Sequence, residues 1–280
     1  MREINVAKVQ EAVEAMCMEA NLALTEDVQD AMKNALESET NSLAKEVLED
    51  LIKNERVASE LEVPICQDTG MAVVFVDLGQ EVALKGGSLE EAIHEGVRRG
   101  YEKGYLRKSV VKSPITRVNT KDNTPAVIHY RVVEGNQIRL RFAPKGFGSE
   151  NMGRLGMLKP SDGRQGVLEF IVDTVKMAGP NACPPLVIGV GVGGTMEKAC
   201  LIAKEQLLRN IGEPAVEEEA RGLEEDLMKR IEALDIGPQG FGGKTTALAV
   251  HAALFPTHIA GLPVCVNINC HVARHRERVI

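Results

Sequence analysis

The sequence predicts an α+β protein in which an N-terminal helical subdomain packs on a mixed β-sheet with covering helices. Three observations predict it. Apolar residues recur at helical spacing through residue 61, the texture changes after Pro64 to short apolar runs punctuated by glycine and proline, and no internal repeat is found. The expected division is a helical part, 1–61, and a mixed α/β part, 62–280, of one domain.

Each element has its own signal. Val6, Val9, Val13, Met16 and Leu22, then Leu43, Val47, Leu48 and Leu51, mark the apolar faces of helices, and three helices are expected before residue 62. Ala72-Val73-Val74-Phe75-Val76 is an apolar run of strand length. Ser88 with Glu91 three residues later is a capping box opening a helix to about Lys103. Two strands between Ala126 and Phe142, around Glu134-Gly135-Asn136, predict a hairpin. Gly163–Ala178 and Thr195–Asn210 have helical spacing, with Leu186-Val187-Ile188 between them as a buried strand. A charged helix follows from Glu217 to Leu234, and strand and loop alternate after it.

Composition narrows the function. With 280 residues, 44% of them hydrophobic, the chain can bury one large core or two modest ones. The net charge of -7 argues against a nucleic-acid partner, which needs a basic face. It does not argue against a small anionic ligand, which needs two or three placed cations. No run of about 18 apolar residues occurs, and Met1–Ala12 carries both charge signs where a secretory signal would be basic and then apolar. A soluble, cytoplasmic protein with no membrane partner is therefore expected. Aromatics make up 3% and tryptophan is absent, so base- or sugar-stacking platforms are not expected.

Two glycine-rich motifs invite a nucleotide reading. Gly189-Val190-Gly191-Val192-Gly193-Gly194 satisfies the G-x-G-x-x-G pattern after an apolar strand and before a helix, which an NAD-dependent dehydrogenase would use. That mechanism also needs a second strand ending in an acid about 20 residues on, and here that stretch is the turn Asn210-Ile211-Gly212-Glu213-Pro214. Small residues that let a helix approach a strand are the competing account. Pro238-Gln239-Gly240-Phe241-Gly242-Gly243-Lys244-Thr245 resembles a phosphate-binding loop with proline at its first glycine position. Its amides could still bind an anion, or the segment could be a tight turn only.

Six cysteines, at 17, 66, 183, 200, 265 and 270, are spaced too widely for a compact disulfide framework, which leaves reduced thiols or metal ligands. Cys66 lies in Pro64-Ile65-Cys66-Gln67-Asp68-Thr69-Gly70, Cys183 in Gly179-Pro180-Asn181-Ala182-Cys183-Pro184-Pro185, and Cys270 ends the apparent strand Val264–Asn269. Cys17 and Cys200 fall within amphipathic helices and Cys265 within a strand. By residue type alone a lone cysteine is more often a small buried apolar residue than a ligand, and spacing leaves both readings open.

With those cysteine segments, Leu106-Arg107-Lys108-Ser109, Pro144–Asn151, Gly237–Thr246 and Pro256–Val264 occur in one order over almost the whole chain. In these motifs the sequence resembles the class I fumarase and tartrate dehydratase family, specifically the larger, alpha subunit of its two-subunit members. The resemblance implies a 4Fe-4S cluster on Cys66, Cys183 and Cys270, with the fourth iron open as a Lewis acid. It implies that Asp68 assists removal of the substrate C3 proton, and that Gln67, Arg107, the backbone at Gly148, and His258 hold a small dicarboxylate substrate. It implies reversible hydration of fumarate to (S)-malate, or dehydration of L(+)-tartrate. It also implies a beta subunit needed for full activity, and a dimer of alpha-beta pairs. One departure stands out: Phe147 separates Gly146 from Gly148 where the family often has consecutive glycines.

Overall fold

The computed structural model describes every residue, Met1–Ile280. In chain order its elements are β1 (Arg2–Asn5), α1 (Val6–Leu22), α2 (Glu26–Ser38), α3 (Ser42–Leu61), β2 (Met71–Gly79), β3 (Val82–Lys85), α4 (Leu89–Lys103), β4 (Val127–Val133) and β5 (Ile138–Lys145). There follow α5 (Phe147–Glu150), β6 (Arg154–Leu158), α6 (Gly163–Ala178), β7 (Leu186–Gly193), α7 (Met196–Gln206), α8 (Glu218–Glu232), β8 (Ala247–Phe255), β9 (Leu262–Asn269) and β10 (Arg276–Val279). The fold is α+β, as expected. No helix is long and apolar enough to cross a membrane.

The chain forms two compact units, and the division differs from a boundary at residue 61. The first unit contains Met1–Leu24, Glu55–Phe147 and Arg274–Ile280; the second contains Thr25–Asn54 and Gly148–Ala273. Packing explains why the N-terminal helices are shared out. Val9, Val13, Met16 and Cys17 of α1 join the core of the first unit with Ile93, Val97 and Tyr101 of α4. The two helices meet so closely that a Cβ on Gly96 would lie 2.7 Å from the Gln10 carbonyl oxygen. Met32 and Ala35 of α2 and Leu48 of α3 instead pack with Leu248 of β8 in the second unit.

Each unit is built around one mixed four-stranded sheet, of order β10-β5-β2-β4 in the first and β6-β9-β7-β8 in the second. The two sheets share a strand pattern. A central strand, β2 or β7, has a parallel neighbour (β4 or β8) on one side and an antiparallel neighbour (β5 or β9) on the other. An antiparallel outer strand, β10 or β6, completes each sheet. Both central strands are buried along nearly their whole length, β7 at every residue.

The expected hairpin between residues 126 and 142 does not form, because β2 lies between β4 and β5. Its extension keeps them apart: Gln80 N–H donates to the Val133 carbonyl at 2.8 Å and Glu81 N–H to the Gly135 carbonyl at 3.0 Å. A long apolar strand with both faces buried outcompetes the local turn for the two edges.

Gly189-Val190-Gly191 lies inside β7, not in a loop. A Cβ at Gly189 would sit 2.1 Å from the Ala203 carbonyl oxygen of α7, and one at Gly191 would sit 2.2 Å from that of Ala199. These glycines serve close packing of helix on strand, and no dinucleotide loop exists there. Gly191→Val is expected to destabilise the protein by about 3 kcal/mol through overpacking, seen as a lower urea midpoint. Gly222→Ala in α8, where the nearest atom is 3.9 Å away, should be neutral or stabilising by about 0.5–1 kcal/mol.

Candidate functional site

The topology decides which loops share an end of each sheet. In the first unit, the segments before β2, before β4 and after β5 lie at one end, because β4 is parallel to β2 and β5 antiparallel. Residues 64–70, 104–126 and 146–147 are those segments.

The turn 64–70 is pinned from several elements. Ile65 N–H donates to the Asn21 carbonyl at 3.0 Å, and Thr69 Oγ1 donates to the Arg107 carbonyl at 3.0 Å. The Tyr101 hydroxyl donates to the carbonyls of Thr69 (2.6 Å) and Gly70 (3.0 Å). Burial pushes the Tyr101 phenol up, which keeps that donor protonated. Asn123, wholly buried, donates from Nδ2 to the Gly70 carbonyl at 3.1 Å and accepts from Ser109 N–H at 2.8 Å. Gly70 has φ +75°, and a Cβ there would lie 2.6 Å from the Pro144 carbonyl carbon, so only glycine fits.

So held, the turn presents Cys66 and Asp68, both partly exposed, and Gln67, exposed. Asp68 N–H lies 3.4 Å from Cys66 Sγ. The Asp68 carboxylate is oriented by Gly70 N–H on Oδ1 (3.0 Å) and Phe147 N–H on Oδ2 (2.8 Å). Phe147, the departure from the family pattern, contributes its amide, while its side chain is exposed. Arg107 is fixed by its backbone, with its side chain exposed. Arg274 was given no role by sequence reasoning, yet its buried guanidinium donates to the Asp68 carbonyl.

In the second unit the equivalent segments precede β7, precede β8 and follow β9. Cys183, exposed and in a left-handed conformation (φ 54°), ends the 3-10 turn Gly179–Ala182 just before β7. Cys270, partly exposed, follows β9, whose Asn269 pairs with Val187. The two cysteines are joined through His271, whose N–H donates to the Cys183 carbonyl at 3.2 Å. Gln239 N–H (2.8 Å) and Nε2 (2.6 Å) both donate to the Pro184 carbonyl, tying the glycine-rich segment to the same turn.

That segment does bind an anion, and the anion is the protein's own. Glu39, 2% exposed, accepts from the amides of Thr40 (2.9 Å), Asn41 (3.0 Å), Lys244 (2.9 Å) and Thr245 (3.2 Å). Burial works to raise its carboxyl pKa, but the four amide donors outweigh burial and hold it below the usual range. Asp235 takes the Gly243 amide at 3.0 Å. The amides of a phosphate loop are therefore spent on internal carboxylates.

Gly148 is exposed at the start of the second unit's longer segment. His258 is not brought to the cysteines of its unit. It lies in the β8–β9 loop, beyond Phe255, which pairs with Gly193 at the far end of β7 from Leu186. That separation is roughly 20 Å at about 3.3 Å per residue. The exposed His258 ring accepts from Ala260 N–H at 3.2 Å, a local turn bond.

The six cysteines separate by environment. Cys17 and Cys265 are buried in the cores. Burial pushes the Cys17 thiol far up, and burial with the neighbouring Cys200 pushes Cys265 up to about 12. Cys200 packs against Cys265. Cys66, Cys183 and Cys270 remain on loops. No three His, Cys, Asp or Glu side chains are gathered around a common point that could hold a metal ion.

A family model described as fumarate hydratase (Fumerase) matches residues 10–279. A protein of Methanocaldococcus jannaschii, whose name gives it provisionally as the alpha subunit of L(+)-tartrate dehydratase, is 40% identical over 274 residues, 95% of each chain. The L(+)-tartrate dehydratase alpha subunits of Escherichia coli strains UTI89 and K12 are 31% and 30% identical over 272 residues, covering 96% of this chain and 89% of theirs.

Two outcomes follow from these environments. Iodoacetamide on the metal-free protein should label Cys183 first and Cys66 and Cys270 next, with Cys17 and Cys265 protected until unfolding; peptide mass mapping reads this, and fast labelling of Cys17 would contradict it. Because the folded pKa of Glu39 is depressed, its stabilisation is present above its unfolded value of about 4.3 and is lost as pH falls through the folded value. Glu39→Gln should therefore cost about 2–3 kcal/mol at pH 7 in denaturant titrations, with the gap to the wild type closing in acid.

Proposed function

The chain belongs to the fumarate hydratase (Fumerase) family, and from that membership we propose that it is the alpha subunit of a class I hydro-lyase interconverting fumarate and (S)-malate in the cytoplasm. The proposed ligands of its 4Fe-4S cluster are Cys66, Cys183 and Cys270. The observation that carries this reading is the separation of the thiols: three stand on loops at strand ends, while Cys17 and Cys265 are buried as protonated core residues. Three soft, accessible donors suit a cluster that keeps one iron open. When bound, the cluster supplies a Lewis acid that polarises the departing hydroxyl.

The chain's own residues supply the rest. Asp68 takes the C3 proton in dehydration and returns it in hydration, its carboxylate aimed by the amides of Gly70 and Phe147. Arg107, exposed beside the turn, clamps a carboxylate through paired N–H donors. Gln67 donates to the second carboxylate or the hydroxyl, and the backbone of the exposed Gly148 meets an oxygen of the substrate. His258, at the other end of its sheet, is not assigned to this site. A beta subunit supplies the remaining contacts, with two alpha-beta pairs in the assembly.

The names of the relatives favour a second reading, in which L(+)-tartrate is the substrate. Co-expression with the small subunit and anaerobic purification tests both. Malate turnover with bound iron supports fumarase, and turnover of tartrate alone supports the second reading. Cys66→Ser, Cys183→Ser and Cys270→Ser should each lower iron content and cut kcat by about 1,000-fold or more, while Cys200→Ser leaves both unchanged. A folded, colourless, iron-free wild-type complex would sink the cluster.

A further inference from the structure

Arg274 is 4% exposed. Its Nη2 donates to the Asp68 carbonyl, while its Nε and Nη1 are buried with no hydrogen-bond partner. The Asp68 carboxylate accepts from the amides of Gly70 and Phe147 and makes no hydrogen bond to this guanidinium, which reaches only the Asp68 backbone. The other groups seen to fix this turn, Asn21, Tyr101, Asn123 and the Arg107 carbonyl, bring no second carboxylate to it.

A guanidinium is always protonated, so an interior site cannot relieve an unpaired one by titration. Burial of such a charge is unfavourable until an anion reaches it. Two unpaired donors on one rigid, buried, charged group call for an acceptor, and an anion meets a charged donor best. Cys66 Sγ, 3.4 Å from the Asp68 amide, is on the same short turn.

We propose that Arg274 is a positioning residue whose buried guanidinium compensates the negative charge of the anion bound at the Cys66–Asp68 turn. The inference rests on the function proposed above, which supplies two anions of this kind: the thiolate-ligated cluster and a substrate carboxylate. Arg274 fixes the turn through the Asp68 carbonyl and presents its remaining donors to whichever anion lies there.

The test compares wild type, Arg274→Met and Arg274→Lys as complexes with the small subunit. The readouts are iron lost to a chelator, calorimetric affinity for succinate as an unreactive dicarboxylate, and the melting midpoint of each metal-free protein. Arg274→Met should lose iron about 10-fold faster, or bind succinate about 10-fold more weakly, with Arg274→Lys retaining most of both. Faster iron loss identifies the cluster as the anion, and weaker succinate binding with iron intact identifies the carboxylate. The metal-free midpoint should stay or rise, because an uncompensated buried charge has been removed. Unchanged iron loss and succinate affinity would overturn the inference, as would a metal-free midpoint that falls in parallel with them. Should Arg274→Met fail to fold, Arg274→Gln is read in the same way. A wild-type complex that binds neither iron nor succinate would instead overturn the proposed function, and this inference with it.

Discussion

Each unit depends on one strand that is buried on both faces and paired on both edges. For β2 and β7 every backbone donor and acceptor along the strand must be met by a neighbour, since water is excluded from them. The parallel neighbours, β4 and β8, are reached by crossovers through α4 and through α7 and α8, whereas β5 and β9 run back antiparallel. A loop that enters the central strand therefore shares an end with the loop that enters its parallel neighbour and the loop that leaves its antiparallel one. Cys66 enters β2, Cys183 enters β7 and Cys270 leaves β9. The same rule puts His258 at the other end, where β8 leaves its sheet.

Those loops hold backbone that the strands could not. Eight non-glycine residues have positive φ, and seven of them lie in the segments before β4, β7 or β8: Tyr105, Arg117, Lys121, Asn123, Cys183, Asp235 and Gln239. Each such conformation costs about 1–3 kcal/mol and persists where its surroundings fix it. Here the fixing groups are visible. Asn123 binds three backbone groups from its buried side chain, and Glu39 binds four amides. Each hydrogen bond contributes about 0.5–1.5 kcal/mol net, more to a charged acceptor, so one such side chain offsets the strain of one or two residues.

Local features of the fold were legible in the sequence and long-range ones were not. The helix Gly163–Ala178 ends where its periodicity predicts, and Ser88 caps α4 through the Glu91 amide. The hairpin failed because strand pairing is settled by β2, a competitor some fifty residues earlier in the chain. The dinucleotide pattern failed because spacing records where glycines are needed, not whether a loop or a packed strand needs them. Cys66 and Cys183 were separable from the other cysteines by their glycine- and proline-rich settings, and Cys270 by its place at the end of an apparent strand. Asn123, Glu39 and Arg274 left no signal, since each has a decisive partner far off in the chain, 53, 205 and 206 residues away, and each reads locally as an ordinary polar residue.

One residue type meets two fates in this chain, and position in the sheet selects between them. In α1 and β9 the side chain is packed into a core, so burial holds Cys17 and Cys265 as thiols. At a strand end Cys66, Cys183 and Cys270 stay wholly or partly exposed. The glycine-rich loop takes the opposite course: its amides are positioned for an anion, but Glu39 and Asp235 already occupy them. A loop filled from within is rigid and cannot bind a phosphate there. It serves instead as the support that Gln239 extends to the Pro184 carbonyl, next to Cys183 in the chain.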